Sequence, residues 1–352
     1  MDAKLLSIFN RFNVEGEAYE IVPFGNGLIN KSFLVKTDVK DYMLQGINSY
    51  VFRNVDSLMR NIYIVTRHLR EKGKVTLHVR KTINYKIYVD DGGMYYRLYT
   101  FIEDTKCYEK LDSLELVEKT GKAFGDFHAS LADLDPILIA ETIPDFHDTP
   151  KRYENLLESV KRDEAGRLSS CMDELNFIMS NKSEFSRIMD GLNSGALPQR
   201  IVHNDPKINN ILFDGNGEEV KCVIDLDTVM PGSYLFDYGD ALRSLFTGDN
   251  ESAASSDALV YDAEIFRTYT RGYLSGMKDS LTPLELELMP DSVFTIAMEL
   301  GIRFLTDYID GDKYFGTHFP GENLIRARNQ LHLAKDLLNH MDEMAEIVKE
   351  FV

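Results

Sequence analysis

The chain has 352 residues, 44% of them hydrophobic, and its 57 acidic side chains outnumber 39 basic ones for a net charge of −18. At roughly 150 residues per domain, this length holds two domains or one large two-lobed enzyme, and 20 Phe with 18 Tyr supply enough apolar mass to exclude disorder over the bulk of it. The acidic balance argues against nucleic-acid and anionic-membrane partners, which are gripped by concentrated Lys and Arg.

Met1 to Phe12 reads as an amphipathic helix, with Leu5, Ile8, Phe9 and Phe12 at helical spacing. It lacks the charged start and apolar stretch of a signal peptide, and no apolar run approaches the roughly 20 residues of a membrane span. Cys107, Cys171 and Cys222 are odd in number and lack metal-ligand spacing. The expectation is a cytoplasmic protein with reduced cysteines.

From Tyr19 to about Phe101 the pattern predicts strands at Ser32–Val35, Tyr42–Leu44, Lys86–Val89 and Met94–Phe101. Asp90-Asp91-Gly92-Gly93 predicts a hairpin turn, because glycine tolerates the positive φ that tight turns require. One helix interrupts them, with Leu58, Ile62, Val65 and Leu69 in helical register after Asp56 as N-cap and with Gly73 as its stop. Beyond Thr105 the period becomes helical, and Gly121 and Gly125 predict close helix packing. The helices break once, between Pro198 and Asp227, where Arg200–His203, Asn210–Phe213 and Val220–Leu226 read as short strands. Asn250 to Asp257 is a candidate mobile loop.

The unusual chemistry lies in that break. His203-Asn204-Asp205-Pro206-Lys207-Ile208-Asn209-Asn210 has the form H-x-D-x-K-x-x-N, and Asp225 ends an apolar strand 15 residues after Asn210. Phosphoryl transfer to a hydroxyl needs a carboxylate to orient the nucleophile or accept its proton, and oxygen ligands for Mg²⁺ on the triphosphate. Asp205 suits the first role. Asn210 and Asp225 suit the second, since Mg²⁺ takes hard oxygen donors and fills its shell with phosphates and water. Lys207 is placed to reach the γ-phosphate. His203 reads as a structural support, and His128, His147 and His318 as packed or solvent-facing rings.

The stretch Ile201 to Asp240 resembles the catalytic and metal-binding segments of the aminoglycoside phosphotransferase and choline kinase superfamily. His203–Leu212, Val223–Gly232 and Glu299–Arg328 are similar to bacterial N-acetylhexosamine 1-kinases. The resemblance implies an α+β, bilobal protein-kinase-like fold, with residues 1–105 as a mostly antiparallel β N-lobe and 106–352 as a mainly helical C-lobe. It implies ATP and Mg²⁺ as cofactors and a small-molecule acceptor, the anomeric hydroxyl of an N-acetylhexosamine foremost. Aminoglycosides, choline-like amines and a non-catalytic nucleotide-binding protein are the alternatives.

Carried over by position, Gly25-Asn26-Gly27-Leu28-Ile29-Asn30 would cover the ATP phosphates; taken alone, the same residues read as a hairpin turn. Phe101 to Thr105, with Phe101 and Glu103, would be the hinge where adenine meets the backbone. Asp237 would brace the catalytic loop. Arg303, Asp307 and Tyr314 would edge the acceptor pocket, although Arg303 and Asp307 at i, i+4 equally fit a surface ion pair. Whether Asp227 adds a second metal stays open.

One departure stands out. Kinases of this fold carry a strand lysine paired with a helix glutamate, yet Gln45 occupies the lysine's place and the helix after Asp56 has no acidic residue before its last turn. The joint loss points to charge neutralisation from elsewhere, with Lys207 the first candidate ahead of Lys31 and Arg60.

Overall fold

The computed structural model describes residues 2–25, 30–248, 252 and 259–352. The chain forms two compact units, neither continuous in sequence. The first gathers Met1–Glu109, Ser130–Pro144 and Asn209–Pro231; the second gathers Lys110–Ala129, Asp145–Ile208 and Gly232–Val352. Asn210 and Asp225 thus belong to the first unit and Asp205 to the second.

The first unit is built on an antiparallel sheet of β1 (Ala18–Pro23), β2 (Lys31–Thr37), β3 (Tyr42–Ile47), β4 (His78–Val79), β5 (Val89–Asp91) and β6 (Met94–Thr100). Its order is β1-β2-β3-β6-β4, with β5 also on β6. Helix α1 (Ala3–Phe9) packs Leu5, Ile8 and Phe9 into a core with Val35, Tyr42, Leu44 and Leu98. The β5–β6 hairpin turns at Gly92 and Gly93, both at positive φ as the turn requires. Its first strand begins at Val89, not Lys86, because Lys86 instead donates its N–H to the Thr82 hydroxyl.

Helix α2 (Val55–Glu71) buries Leu58, Met59, Ile62, Val65 and Leu69. Its cap is Asn54, whose side chain accepts from Ser57 N–H; the expected cap, Asp56, lies in the first turn, where its charge suits the helix dipole. Strand β7 (Thr105–Lys106) pairs with β9 (Ile211–Asp214), which pairs with β10 (Val220–Val223).

The second unit holds the short strand β8 (Arg200–Val202) and helices α3 (Leu114–Leu131, to Ala129), α4 (Thr149–Arg162), α5 (Met172–Ser180), α6 (Lys182–Ser194), α7 (Tyr234–Thr247), α8 (Ala263–Met277), α9 (Pro283–Glu287), α10 (Met289–Ile309), α11 (Glu322–Asn339) and α12 (Met341–Lys349). The 21-residue α10 is central, buried on nearly every side against α4, α6, α7 and α11. The loop expected at Asn250 to Asp257 lies, apart from Ser252, outside the described residues.

Helices α3 and α8 cross where side chains do not fit. A Cβ on Gly121 would stand 2.4 Å from the Tyr269 carbonyl oxygen, and one on Gly125 2.4 Å from that of Tyr273. The partner helix answers with Gly272, whose Cβ would meet the Glu118 carbonyl at 2.1 Å. These are backbone contacts, so no side chain can yield. Gly125→Ala is expected to destabilise the protein by about 1–3 kcal/mol, read by denaturant unfolding. Gly316→Ala, where among the described residues a Cβ meets nothing within 4 Å, serves as control and should change little.

Candidate active site

The second unit supplies the loop carrying Asp205. After β8 the chain turns through Asn204 in the left-handed region, φ 65°, a conformation that asparagine tolerates better than most residues. The turn is held by Asp237 on α7. This carboxylate is 1% exposed and accepts His203 N–H at 2.6 Å, Asn204 N–H at 2.7 Å and His128 Nε2 at 2.7 Å. Burial pushes the Asp237 carboxyl up, but the His128 bond and charge and the amide of His203 outweigh it and hold it below the ordinary aspartate range.

His203 is itself fully buried, with its ring edge-on to Phe124 and Phe127, and its Nδ1 accepts Asp205 N–H at 3.2 Å. The ring therefore shapes the loop, as its sequence context suggests. Asp205 emerges partly exposed, with Lys207 Nζ 2.5 Å from its Oδ1. Burial pushes the Lys207 ammonium down, and Asp205 with Asp240 more than restores it, so its proton is held more tightly than in a free lysine.

The first unit carries the candidate oxygen ligands. Asn210 precedes β9 and Asp225 follows β10, and Ile224 N–H donates to the Asn210 carbonyl at 2.8 Å, tying the two segments together. Asp225 is exposed and takes a left-handed φ of 56°, a strained position. One amide oxygen and one carboxylate form a donor set that fits Mg²⁺ completed by phosphate and water, and does not fit a closed all-protein cage. Accordingly, no group of three or more His, Cys, Asp or Glu is placed to hold a metal among the described residues.

Asp227 is committed elsewhere. Arg97 Nη1 donates to its Oδ1, Arg97 Nη2 to its Oδ2 at 2.9 Å, and Asn30 Nδ2 to Oδ2 at 2.5 Å. Arg97 was not anticipated in the site. It sits on β6 directly opposite Gln45 of β3, and Gln45 opposite Ser32 of β2. Arg97 Nε donates to Gln45 Oε1 at 2.9 Å, and Gln45 Nε2 donates to Ser32 Oγ at 2.8 Å. Gln45 thus passes a bond across three strands, and the cation stands one strand over. Burial pushes Arg97 down, but the Asp227 carboxylate more than offsets this and holds it above the usual arginine value. On α2, Asn61 takes up the other flank of the loop, donating to the Ala140 and Val229 carbonyls at 2.7 and 3.1 Å.

The remaining expected residues scatter. Gly25 has a positive φ of 74° and Asn30 Oδ1 accepts Asn48 N–H at 3.0 Å, while Asn26 and Gly27 lie outside the described residues. Phe101 spends its N–H on the Asp41 carbonyl at 3.0 Å and sets its ring edge-on to Phe24; Glu103 is exposed in the coil before β7. Arg303 and Asp307 do not pair with each other. Arg303 lies 3.7 Å from Glu299 and over the Phe315 ring. Glu299 also receives His147 Nδ1 and the Thr149 hydroxyl. Asp307 is 5% exposed and accepts the N–H groups of Lys313, Tyr314 and Phe315, each at 2.8 Å, plus Asn323 Nδ2 at 2.9 Å. It shapes the loop that displays Tyr314, whose ring is 76% exposed.

Removing one member of a buried ion pair strands the other. Arg97→Met is therefore expected to cost about 3–5 kcal/mol, and Asp227→Asn a comparable amount. The double variant should cost much less than the sum, as measured by a double-mutant cycle in urea; additive losses would show that the pair is not coupled.

A profile described as the phosphotransferase enzyme family matches residues 20–278. Among solved structures, a microcompartment-associated aminopropanol kinase is 16% identical, with a TM-score of 0.67 over 97% of this chain and 98% of that one. An aminoglycoside phosphotransferase from Alicyclobacillus acidocaldarius is 13% identical, with a TM-score of 0.64 over 98% and 96%. A choline/ethanolamine kinase family protein from Mesorhizobium loti is 14% identical, with a TM-score of 0.55 over 94% and 92%. At these identities the likeness establishes the α+β kinase-like fold, and the profile match over most of the chain makes it a member of the phosphotransferase enzyme family.

Proposed function

We propose that this phosphotransferase moves the γ-phosphoryl group of ATP to the anomeric hydroxyl of an N-acetylhexosamine. The observation that carries the chemistry is the Asp205 carboxylate, presented on a loop whose backbone is fixed by Asp237 and paired with Lys207. In this reading Asp205 accepts the hydrogen bond of the acceptor hydroxyl and aims its oxygen at the γ-phosphorus. The new O–P bond forms as the β,γ-bridging bond breaks, the hydroxyl proton passes to Asp205, and ADP leaves. Lys207, which keeps its proton, neutralises charge on the transferring oxygens. Mg²⁺ held by Asn210 and Asp225 would supply charge neutralisation on the β- and γ-phosphates. The three solved structures named above are a kinase, a phosphotransferase and a kinase family protein, which supports a nucleotide donor in this reading.

A neutral sugar as acceptor is favoured by the chemistry of the displayed groups. Tyr314 offers an exposed aromatic face for a pyranose ring, and Arg303 offers planar donors for hydroxyl or acetamido oxygens. The exposed carboxylates that a cationic acceptor calls for are absent from the described part of this loop: Asp307 and Asp312 are both engaged, the latter by Arg167 and Asn323.

An acceptor screen for ATP consumption tests this. N-acetylglucosamine or N-acetylgalactosamine should be turned over and ethanolamine, choline and aminoglycosides should not, with Asp205→Ala reducing turnover by about 10³-fold or more while the fold persists by circular dichroism. Consumption of cationic alcohols alone would overturn the sugar assignment, and no turnover with any acceptor would overturn the kinase assignment. Lys207→Ala should lower kcat by about 100-fold, against less than about tenfold for Gln45→Ala. Comparable losses would remove Lys207 from the role of phosphate-neutralising cation.

A further inference from the structure

Although the chain is strongly acidic, residues 1–105 carry 15 basic and 12 acidic side chains. Part of this positive excess is gathered at one place in the first unit, where the end of α2 meets β4 and the segment after it. A cavity of about 210 Å³ opens there, lined by Arg70, His78, Arg80 and Lys81 with Asn13 and Tyr63. No carboxylate lines it among the described residues.

The cations in this cavity are anchored by neutral groups. Arg70 Nη1 donates to the Leu77 carbonyl at 3.1 Å. Arg80 donates through Nε and Nη2 to the Asn13 carbonyl at 3.2 and 2.9 Å, and its side chain is only 18% exposed. Lys81 Nζ stands 5.0 Å from the centre of the Tyr63 ring. These contacts fix direction and leave charge unbalanced. The nearest carboxylates are drawn to other partners: Glu15 lies 3.9 Å from Arg80 but 2.8 Å from Lys40, and Glu71 pairs with Arg67 at 2.7 Å. The excess is felt by His78, whose ring is held below its ordinary pKa by burial first, then by Arg70, Arg80 and Lys40.

Two half-buried guanidinia held by carbonyls, a lysine and an imidazole line this cavity with N–H donors, and among the described residues the carboxylate within ion-pair distance of them is Glu15, 3.9 Å from Arg80 and shared with the closer Lys40. The volume is smaller than the roughly 300–1,000 Å³ of sites for drug-sized ligands, and suits one compact polyanionic group. We propose that this cavity is a binding site for a phosphate dianion, free or as the terminal group of a small phosphomonoester. None of its residues belongs to the catalytic or metal-binding set, so the site stands whether or not the sugar-kinase reading does.

The test uses inorganic phosphate on the full chain, by isothermal titration at constant ionic strength with chloride as reference and with saturating MgADP to occupy the nucleotide site. Wild type is expected to bind about one phosphate, and Arg70→Gln and Arg80→Gln to weaken it by about tenfold or more, the loss of one charge-assisted hydrogen bond. The thermal shift produced by MgADP should stay unchanged in both. Because these arginines also hold backbone carbonyls, Lys81→Gln, on an exposed side chain, provides a variant that keeps those bonds and should weaken phosphate in the same direction. Glycerol 3-phosphate in place of phosphate separates the sources: tighter binding of the ester identifies a phosphomonoester site, and tighter binding of the free ion a phosphate site. Failure of phosphate to bind above the chloride reference, or binding undiminished in all three variants, would overturn the proposal.

Discussion

A carboxylate removed from water must be surrounded by donors or lose its charge. Asp237 meets that demand with two backbone amides and one imidazole, and the amides are those of His203 and Asn204. The left-handed turn at Asn204 and the direction of Asp205 follow from satisfying this one group. His128 is equally constrained: it stacks on Tyr234 at 4.6 Å, and with Nε2 on Asp237 its Nδ1 is hydrogen-bonded to the Tyr273 hydroxyl at 3.0 Å. The candidate carboxylate, Asp205, is partly exposed on a loop whose two preceding amides are held by this buried one.

The other unit uses the same device. Asp227 is buried, Arg97 and Asn30 complete its coordination, and the exposed Asp225 stands two residues before it. Gln45 holds the strand position where related kinases carry a lysine, and a buried arginine, Arg97, stands one strand across from it and pairs with Asp227 of the loop. The C-terminal acidity is also partly structural. Glu285 with Arg200, Asp291 with Arg187, Glu322 with Arg326 and Asp240 with Arg243 are buried carboxylates in ion pairs, so a portion of the negative charge is paired within the protein and is not presented to solutes.

What was legible in the sequence had short-range causes. Turn glycines at 92 and 93, the apolar stripe of α2 and the small residues at 121 and 125 each act through local sterics or a helical repeat, and the order of H-x-D-x-K-x-x-N and Asp225 singles out the candidate site residues. What escaped depends on register and on tertiary approach. Arg97 reads as one charge in Tyr95-Tyr96-Arg97-Leu98-Tyr99 until the strands align and set it against Gln45. A charged residue in the middle of that apolar run was the available signal. His128 looked like a packed ring because Asp237 lies 109 residues away in sequence. Arg303 and Asp307 looked like a pair because helical spacing allows it, whereas three loop amides offered Asp307 a better site.

The glycine crossing of α3 and α8 bears on how the molecule is assembled. His128 is on α3, while Tyr273, which fixes its second nitrogen, is on α8, and the two helices reach that spacing only by backbone contact at Gly121, Gly125 and Gly272. On the order in which a ribosome releases the chain, Asp205 and Asp237 both emerge before residue 273. The outer contact of this brace, His128 with Tyr273, joins residues 145 apart in sequence. Such non-local contacts slow folding. The geometry of the Asp205 loop thus depends on residues that lie well before and well beyond the motif in sequence.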